Sequence, residues 1–344
     1  MKLNTPVELH QLKGRNVYVK RDDLMGDGNI LPPWGKMAGI DRLLENLNPN
    51  YPLIHLAVNG SWSGWALSYL CKQRGIKFIY AYPPSKTYNK FILEKAAKYD
   101  CDFKELTPNM MAILYNRIGS ASEDSKTFFE KIENLKWDSK SSLFNEIDDS
   151  VYKKTIADQG VISDTPLDIY GSELNFKYKD LKSIKYKKMV VKDSFLKEYG
   201  DVQMLPYAFD HKDYRAILKQ RADEVFKEHL VDHLVISAGS GVTSSPIIQA
   251  FSPGNDLFSN SQKRAYSITV SNVKTIYEKY KSHSMSSSAI EVYKTKFEFD
   301  DMMTDYEIPF PCNGTWDRKA WWWLENNIES LKGDILFWNI GGNV

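Results

Sequence analysis

The chain has 344 residues, enough for two domains or one large α/β unit. Its formal charge of +1 creates no overall field toward nucleic acid or an anionic membrane. Three scattered cysteines, Cys71, Cys101 and Cys312, exclude a disulfide framework and a paired-cysteine zinc site, and no stretch reaches the roughly 20 apolar residues of a membrane span. The opening "MKLNTPVELHQLKG" lacks the apolar core of a signal peptide, so a cytoplasmic protein is expected.

"NVYVKRDDLMGDGNILPPWGKMAGIDRLLENL" (16–47) reads as a strand, a Gly/Pro loop and a helix that opens almost on Lys36. A helix N-terminus carries partial positive charge, so a cation there is mildly unfavourable. Lys36 is either a solvated surface lysine or a working amine, and lysine amines attack aldehydes. From Pro52, "LIHLAV" is a short buried strand, "WALSYLCKQRG" a helix ending at Gly75, and "IKFIYAYP" a strand. "YNKFILEKAAKYD" then reads as a helix and "CDFKEL" as a strand. This alternation predicts βαβ units and a parallel sheet. Ser61 and Ser63 stand where the first of these helices begins. Their hydroxyls suit a substrate carboxylate or serve as caps, Ser63 being the candidate N-cap.

Between about 109 and 201 the alternation is lost. The basic, tyrosine-interleaved "KYKDLKSIKYKKMVVKD" (Lys177–Asp193) reads as a solvated strand pair with lysines guarding an edge, or more weakly as a nucleic-acid or phosphate patch. The pattern resumes with the helix "DYRAILKQRADEVFKEHL". "HLVISAGSGVTSSPIIQAF" follows as strand, glycine loop and helix. Gly239, Ser240, Gly241, Val242 and Thr243 can turn backbone N–H groups toward one anion at a helix start. No lysine follows, which excludes a P-loop, and the third glycine of a dinucleotide fingerprint is missing. A single terminal phosphate or a plain βα turn both fit. "RAYSITVS" is a strand, "DRKAWWWLENNIESLKG" a helix and "DILFWNIGGN" a last strand. Asp317 is placed to be an N-cap or a buried carboxylate facing a ring nitrogen. His229 and His233 read as one helical turn apart but lack the glutamate of a zincin, so no metal is expected. No linker separates domains, which predicts interleaved ones.

In this order the fragments resemble the fold type II pyridoxal-phosphate enzymes, the tryptophan synthase β-chain superfamily. The nearest branch is that of 1-aminocyclopropane-1-carboxylate deaminase and D-cysteine desulfhydrase. "TPVELHQLKGRNVYVKRDDLMGDG" is similar to that branch's opening. "WGKMAGIDRLL" falls on its Gly-Asn-Lys, so Lys36 matches the Schiff-base lysine and Gly35 stands for the Asn. "NGSWSGWALSYLCKQRGIK" falls on a Ser-Asn-His loop that holds the substrate carboxylate. Ser61 matches the serine, Trp62 the Asn that faces the cofactor's phenolic oxygen, and Ser63 the His. "AGSGVTSS" resembles the phosphate loop over Gly239–Thr243. "TWDRKAWWWL" places Asp317 on the residue that contacts the pyridine nitrogen, and "DILFWNIGGN" resembles the terminal strand and its His-Thr-Gly-Gly. The resemblance covers Thr5 to about Leu106 and about Val202 onward.

The resemblance implies an α/β fold of two open, twisted, mostly parallel sheets with flanking helices. It implies a large cofactor domain of residues 1–45 plus 170–344 and a small domain of 46–169, with an unmatched extra segment at about 110–200. Pyridoxal 5'-phosphate would lie at their interface. The implied activity is chemistry at Cα of a small amino-acid-like substrate: deamination, β-elimination or a related lyase reaction, through an external aldimine and a Cα carbanion, in a homodimer. The extra segment and the altered Ser61–Ser63 loop keep two alternatives open. One is an amino-acid group carried by a nucleotide or polymer; the other is a non-catalytic binding protein on the same scaffold.

Overall fold

A computed structural model describes residues 1–56, 61–82, 90–105, 167–168, 173–174, 203–205, 207–251, 263–283, 285, 289–298 and 301–343. In chain order the elements are β1 (Val7–Leu12), β2 (Arg15–Arg21), α1 (Met37–Leu44), β3 (Leu53–Leu56), α2 (Ser63–Arg74), β4 (Phe78–Tyr82), α3 (Lys90–Ala96), β5 (Cys101–Glu105), β6 (Leu167–Asp168), β7 (Glu173–Leu174) and β8 (Gln203–Met204). There follow α4 (Lys212–Glu228), β9 (His233–Ala238), α5 (Ser244–Phe251), β10 (Arg264–Thr269), α6 (Val273–Ser282), β11 (Ile290–Lys294), α7 (Asp317–Asn327) and β12 (Ile335–Asn339). No helix among the described residues is long and apolar enough to cross a membrane.

The chain forms two compact units, Met1–Asn46 with Ala208–Val344, and Leu47–Tyr207. The returning segment of the first begins at Ala208, where the sequence reading set it at 170. Most of the extra segment, including the basic Lys177–Asp193 stretch, lies outside the described residues.

The first unit holds a six-stranded sheet in the order β1-β2-β12-β9-β10-β11. All neighbours are parallel except β1 and β2, which form a hairpin. Its two loop residues, Lys13 (φ 49) and Gly14 (φ 77), both adopt positive φ, the geometry that suits the strands' right-handed twist. β9 and β12 are buried at every position, as expected of central parallel strands covered on both faces. Successive side chains of β12 point to opposite faces. Phe337 meets Trp321 of α7 edge-on, ring centroids 5.1 Å apart. Trp338 meets Phe226 of α4 on the other side, at 5.9 Å. Helix α7 therefore covers one face, joining Val17, Val19, Val235, Ile268 and Phe337 in one core. α4 covers the other face, packed against α1 and α5.

The second unit holds a four-stranded parallel sheet in the order β5-β4-β3-β8. α2 ends as expected on Gly75, which takes φ 67 and donates to the carbonyls of Cys71 and Lys72. Gly64 is needed where α2 crosses the sheet, since a Cβ there would lie 2.2 Å from the Tyr80 ring. Besides the two-residue strands β6, β7 and β8, three elements went unread in the sequence: β1, α6 and β11. The histidine pair is corrected. His229 follows the last residue of α4 and His233 opens β9, so they share no helix. Among the described residues no group of three metal-ligating side chains forms.

Candidate active site

Three of the sequence-predicted features fall in the first unit. Lys36 occupies the residue before α1, with helical φ and ψ and no side-chain cap. The residue keeps some solvent contact, and its amine lies 5.0 Å from the centroid of the Trp34 ring. Burial brings the amine's pKa down from 10.5 to about 8, partly offset by the negative charge of Asp317.

Asp317 is 2% exposed. It is the first residue of α7 rather than its cap. Trp316 holds the cap position with no side-chain cap bond, so the capping role is not observed. The carboxylate instead turns inward, where Ser237 at the end of β9 donates its hydroxyl to Oδ1 and Gly341 donates its N–H to Oδ2 at 2.9 Å. Burial pushes its pKa up from 3.8 to about 7, against those hydrogen bonds and the charge of Lys36. The charged amine and the carboxylate thus act on one another electrostatically.

The glycine loop joins β9 to α5. Gly241 takes φ 82, a conformation that glycine alone enters without strain. Gly239 lies against Trp316, whose ring a Cβ would meet at 3.2 Å. The Thr243 hydroxyl is bonded at 2.9 Å to the buried Tyr214 hydroxyl of α4. Ser244 bonds Tyr280, which also bonds Ser267, and Ser245 bonds His283 Nδ1 at 2.7 Å. His283 Nε2 and Lys279 converge on Asp210, at 3.1 Å and 2.7 Å. The start of α5 therefore rests on a hydrogen-bonded base, and the Ser245 N–H donates back to the Gly241 carbonyl at 2.9 Å. Val242 is 1% exposed and packs inward, and Ser240 is exposed at the tip.

Ser61, Trp62 and Ser63 belong to the second unit. Ser63 is the first residue of α2, and Trp62 holds the cap position without a side-chain cap bond, which corrects the expected capping role of Ser63. The Ser61 hydroxyl accepts from the Ser63 N–H at 3.2 Å and donates to the Ser63 hydroxyl at 3.0 Å. Behind them lies a residue the sequence reading passed over. His55 of β3 places Nε2 2.8 Å from Ser63 Oγ. Burial lowers its pKa from 6.5 to about 3, so the imidazole is neutral at ordinary pH.

No protein-family model matches the chain. A curated relative, the glycyl-dTMP PLP-dependent decarboxylase of Pseudomonas phage M6, is 24% identical over 351 residues, spanning 98% of each chain. Among solved structures, an ACC deaminase homologue superposes with a TM-score of 0.56 at 15% identity, covering 98% of this chain and 89% of its own. A hydrogen sulfide-producing enzyme of Fusobacterium nucleatum gives 0.54 at 13%, covering 98% and 95%. A pyridoxal 5'-phosphate-dependent aspartate racemase gives 0.51 at 12%, covering 99% and 90%. The chain has the fold of the fold type II pyridoxal-phosphate enzymes.

The residues of the first unit fit the cofactor of fold type II enzymes. An aldehyde calls for an uncharged amine, and burial lowers the Lys36 pKa to about 8, which raises the uncharged fraction of its amine. A pyridine nitrogen calls for a buried, hydrogen-bonded carboxylate, which Asp317 supplies. A phosphate calls for N–H and hydroxyl donors at a helix start, and the loop from Gly239 to Thr243 leads directly into α5 at Ser244. Sequence reasoning did not find Ser237, Gly341 or Tyr214, which support Asp317 and Thr243. Each comes from another element and leaves no local pattern.

Proposed function

We propose that the chain is a pyridoxal-phosphate enzyme that decarboxylates an amino-acid group carried by a nucleotide. The cofactor reading is carried by Lys36 before α1 and the buried, hydrogen-bonded Asp317 at the start of α7, two residues of the first unit whose charges act on one another. The substrate reading is supported by the relative's 98% coverage of both chains. It is also supported by the Trp62 and Ser63 departures in the loop that resembles the binding site for a free amino acid's carboxylate. When bound, the cofactor supplies an electron sink for the pair left at Cα. Lys36 Nζ would hold the cofactor covalently and, once released, stand free near Cα. In decarboxylation the Cα–carboxylate bond breaks, CO2 leaves, and Lys36 Nζ delivers the proton that replaces it. Asp317 would keep a proton on the ring nitrogen, and Gly239, Ser240, Gly241, Val242 and Thr243 would hold the phosphate. For Ser61 and Ser63, a role as hydroxyl donors to the substrate's acid group is what the resemblance of their loop implies.

A second reading, deamination or β-elimination on a free amino acid, uses the same Lys36 and Asp317. It is favoured by the fold match to the ACC deaminase homologue. The test is an absorbance spectrum of the purified protein before and after borohydride, with the labelled peptide mapped. Lys36→Ala is expected to lose the visible band and the label, and a band retained in that variant refutes the assignment. Products separate the readings. Release of CO2 from glycine linked to thymidylate, with free glycine inert, supports the first. Ammonia from free amino acids supports the second. Sedimentation tests the homodimer expected from the resemblance.

A further inference from the structure

The loop that carries Lys36 is stitched to the segment after β12. Gly35 donates its N–H to the Ile340 carbonyl at 2.7 Å, and Gly342 donates to the Pro33 carbonyl at 2.8 Å. Trp34 and Gly341 form an isolated antiparallel bridge. Gly341 is also the residue whose N–H holds Asp317. The backbone beside Lys36 and the carboxylate of Asp317 are thus fixed by adjacent peptide groups.

Beneath Gly35 lies Asp22. A Cβ on Gly35 would come within 2.8 Å of Asp22 Cβ and 2.9 Å of its Oδ2, closer than side-chain carbons approach. Asp22 has nowhere to retreat. Its Oδ1 accepts from Thr5 Oγ1 at 2.7 Å and Arg221 Nη2 at 2.8 Å, and its Oδ2 accepts from Trp338 Nε1 at 2.9 Å. These donors come from the N-terminal segment, α4 and β12, and Asp22 itself is 2% exposed. The carboxylate is held from three directions. This also accounts for the glycine at position 35, where the resembling family has Asn.

We infer that Asp22 is a positioning residue for Lys36, acting as a fixed floor under Gly35 that sets where the lysine stands relative to Asp317. The inference rests on the reading that Lys36 holds the cofactor. A side chain at position 35 has to lift the peptide off the Ile340 carbonyl, moving the lysine while the carboxylate stays. A bland role, a buried ion pair that only stabilises the fold, predicts no such specificity.

The experiment measures the rate at which cofactor-free protein captures pyridoxal 5'-phosphate, and the pH midpoint of the bound protein's visible band. Gly35→Ala is compared with Ile335→Val, a core change in β12 away from the loop, and thermal midpoints are recorded for both. Gly35→Ala is expected to slow capture at least about tenfold and to shift the band's pH midpoint, as overpacking beside a reactive group should. Ile335→Val is expected to change neither. Equal behaviour of the two at equal loss of thermal midpoint would overturn the inference. Gly35→Ala placed on an Asp22→Ala background, where the floor under position 35 is gone, is expected to capture within about threefold of Asp22→Ala alone, even with a lowered thermal midpoint. A further capture defect on that background as large as that of Gly35→Ala in the parent would also overturn it. If the parent protein shows no borohydride-trappable band at Lys36, the cofactor reading fails, and that outcome is distinct from both results above.

Discussion

Replacing Asp317 by asparagine separates the charge of this carboxylate from its hydrogen bonds. Burial raises its pKa from 3.8 to about 7. Between those values the folded chain keeps a proton that the unfolded chain has released, so stability falls as pH rises. The contribution is complete below 3.8 and is lost as pH climbs through about 7. At 1.36 kcal/mol per pH unit, the whole interval amounts to about 4 kcal/mol, and the part from about pH 5 upward to about 3 kcal/mol. Asparagine does not titrate. It offers one acceptor oxygen where Ser237 and Gly341 need two, a loss of about 1 kcal/mol. It also strips Lys36 of the charge that raises its pKa, so the amine falls below about 8 and costs more in acid. Urea unfolding of the cofactor-free proteins should therefore show Asp317→Asn less stable than the parent near about pH 5, with the difference moving by about 3 kcal/mol in the variant's favour by about pH 8.5. Parallel stability curves across that range would refute the burial of a titrating carboxylate at this position.

Thr243→Val leaves the buried Tyr214 hydroxyl without its 2.9 Å partner. A stability loss of about 1–2 kcal/mol is expected, with cofactor affinity reduced about tenfold in an absorbance titration; Tyr214→Phe should reproduce only the first effect. Asp210→Ala removes the acceptor shared by Lys279, His283 and Arg215 and is expected to cost about 3 kcal/mol in urea unfolding. Burial works to raise the Asp210 pKa, but His283 and Lys279 outweigh it and hold the carboxyl below its usual range. The stability it provides is present above 3.8 and lost in stronger acid, so the variant's deficit should shrink there. Burial depresses the His55 pKa to about 3, which makes the neutral ring's contribution complete above 6.5 and lost as pH falls toward about 3. His55→Gln should flatten that acid limb, measured by thermal unfolding against pH.

The glycine loop and its flanking strand and helix were legible because an apolar run, two glycines and a helix start lie side by side in sequence. Gly75 was legible for the same local reason. Asp317 was legible as a candidate but not in its role, because cap and buried carboxylate look identical until Ser237 and Gly341 arrive from other parts of the chain. The strand in "VYVKRDDL" was legible, but the burial of its charged run was not. Lys20, Arg21, Asp22 and Asp23 are each buried, the first donating to the Thr5 carbonyl and Arg21 pairing with Asp23. The available signal was four successive charges, the last two residues of a buried strand and the two that follow it before the lysine loop, a place where solvated charges have little reason to gather. Helix α6 left a readable trace as well: Asn272 accepts from the Lys274 N–H as a cap, and the buried Ile276 and Tyr280 sit one turn apart. The strand β11 is short and half-exposed, and its alternation is too weak to read.

The position of β12 between β2 and β9 has a consequence for biogenesis. Its partner on one side is made some three hundred residues earlier, so the register Ile335 to Val17 is a contact of very long sequence separation. Such pairings form slowly, because loop closure must precede any gain from them. Until β12 docks, the β1–β2 hairpin and the β9–β10 ribbon each present a bare, apolar edge, a template for mispairing. A fragment ending after α6 should therefore aggregate on expression rather than accumulate as a half-built sheet, and slowing synthesis should matter less to yield than chaperone supply.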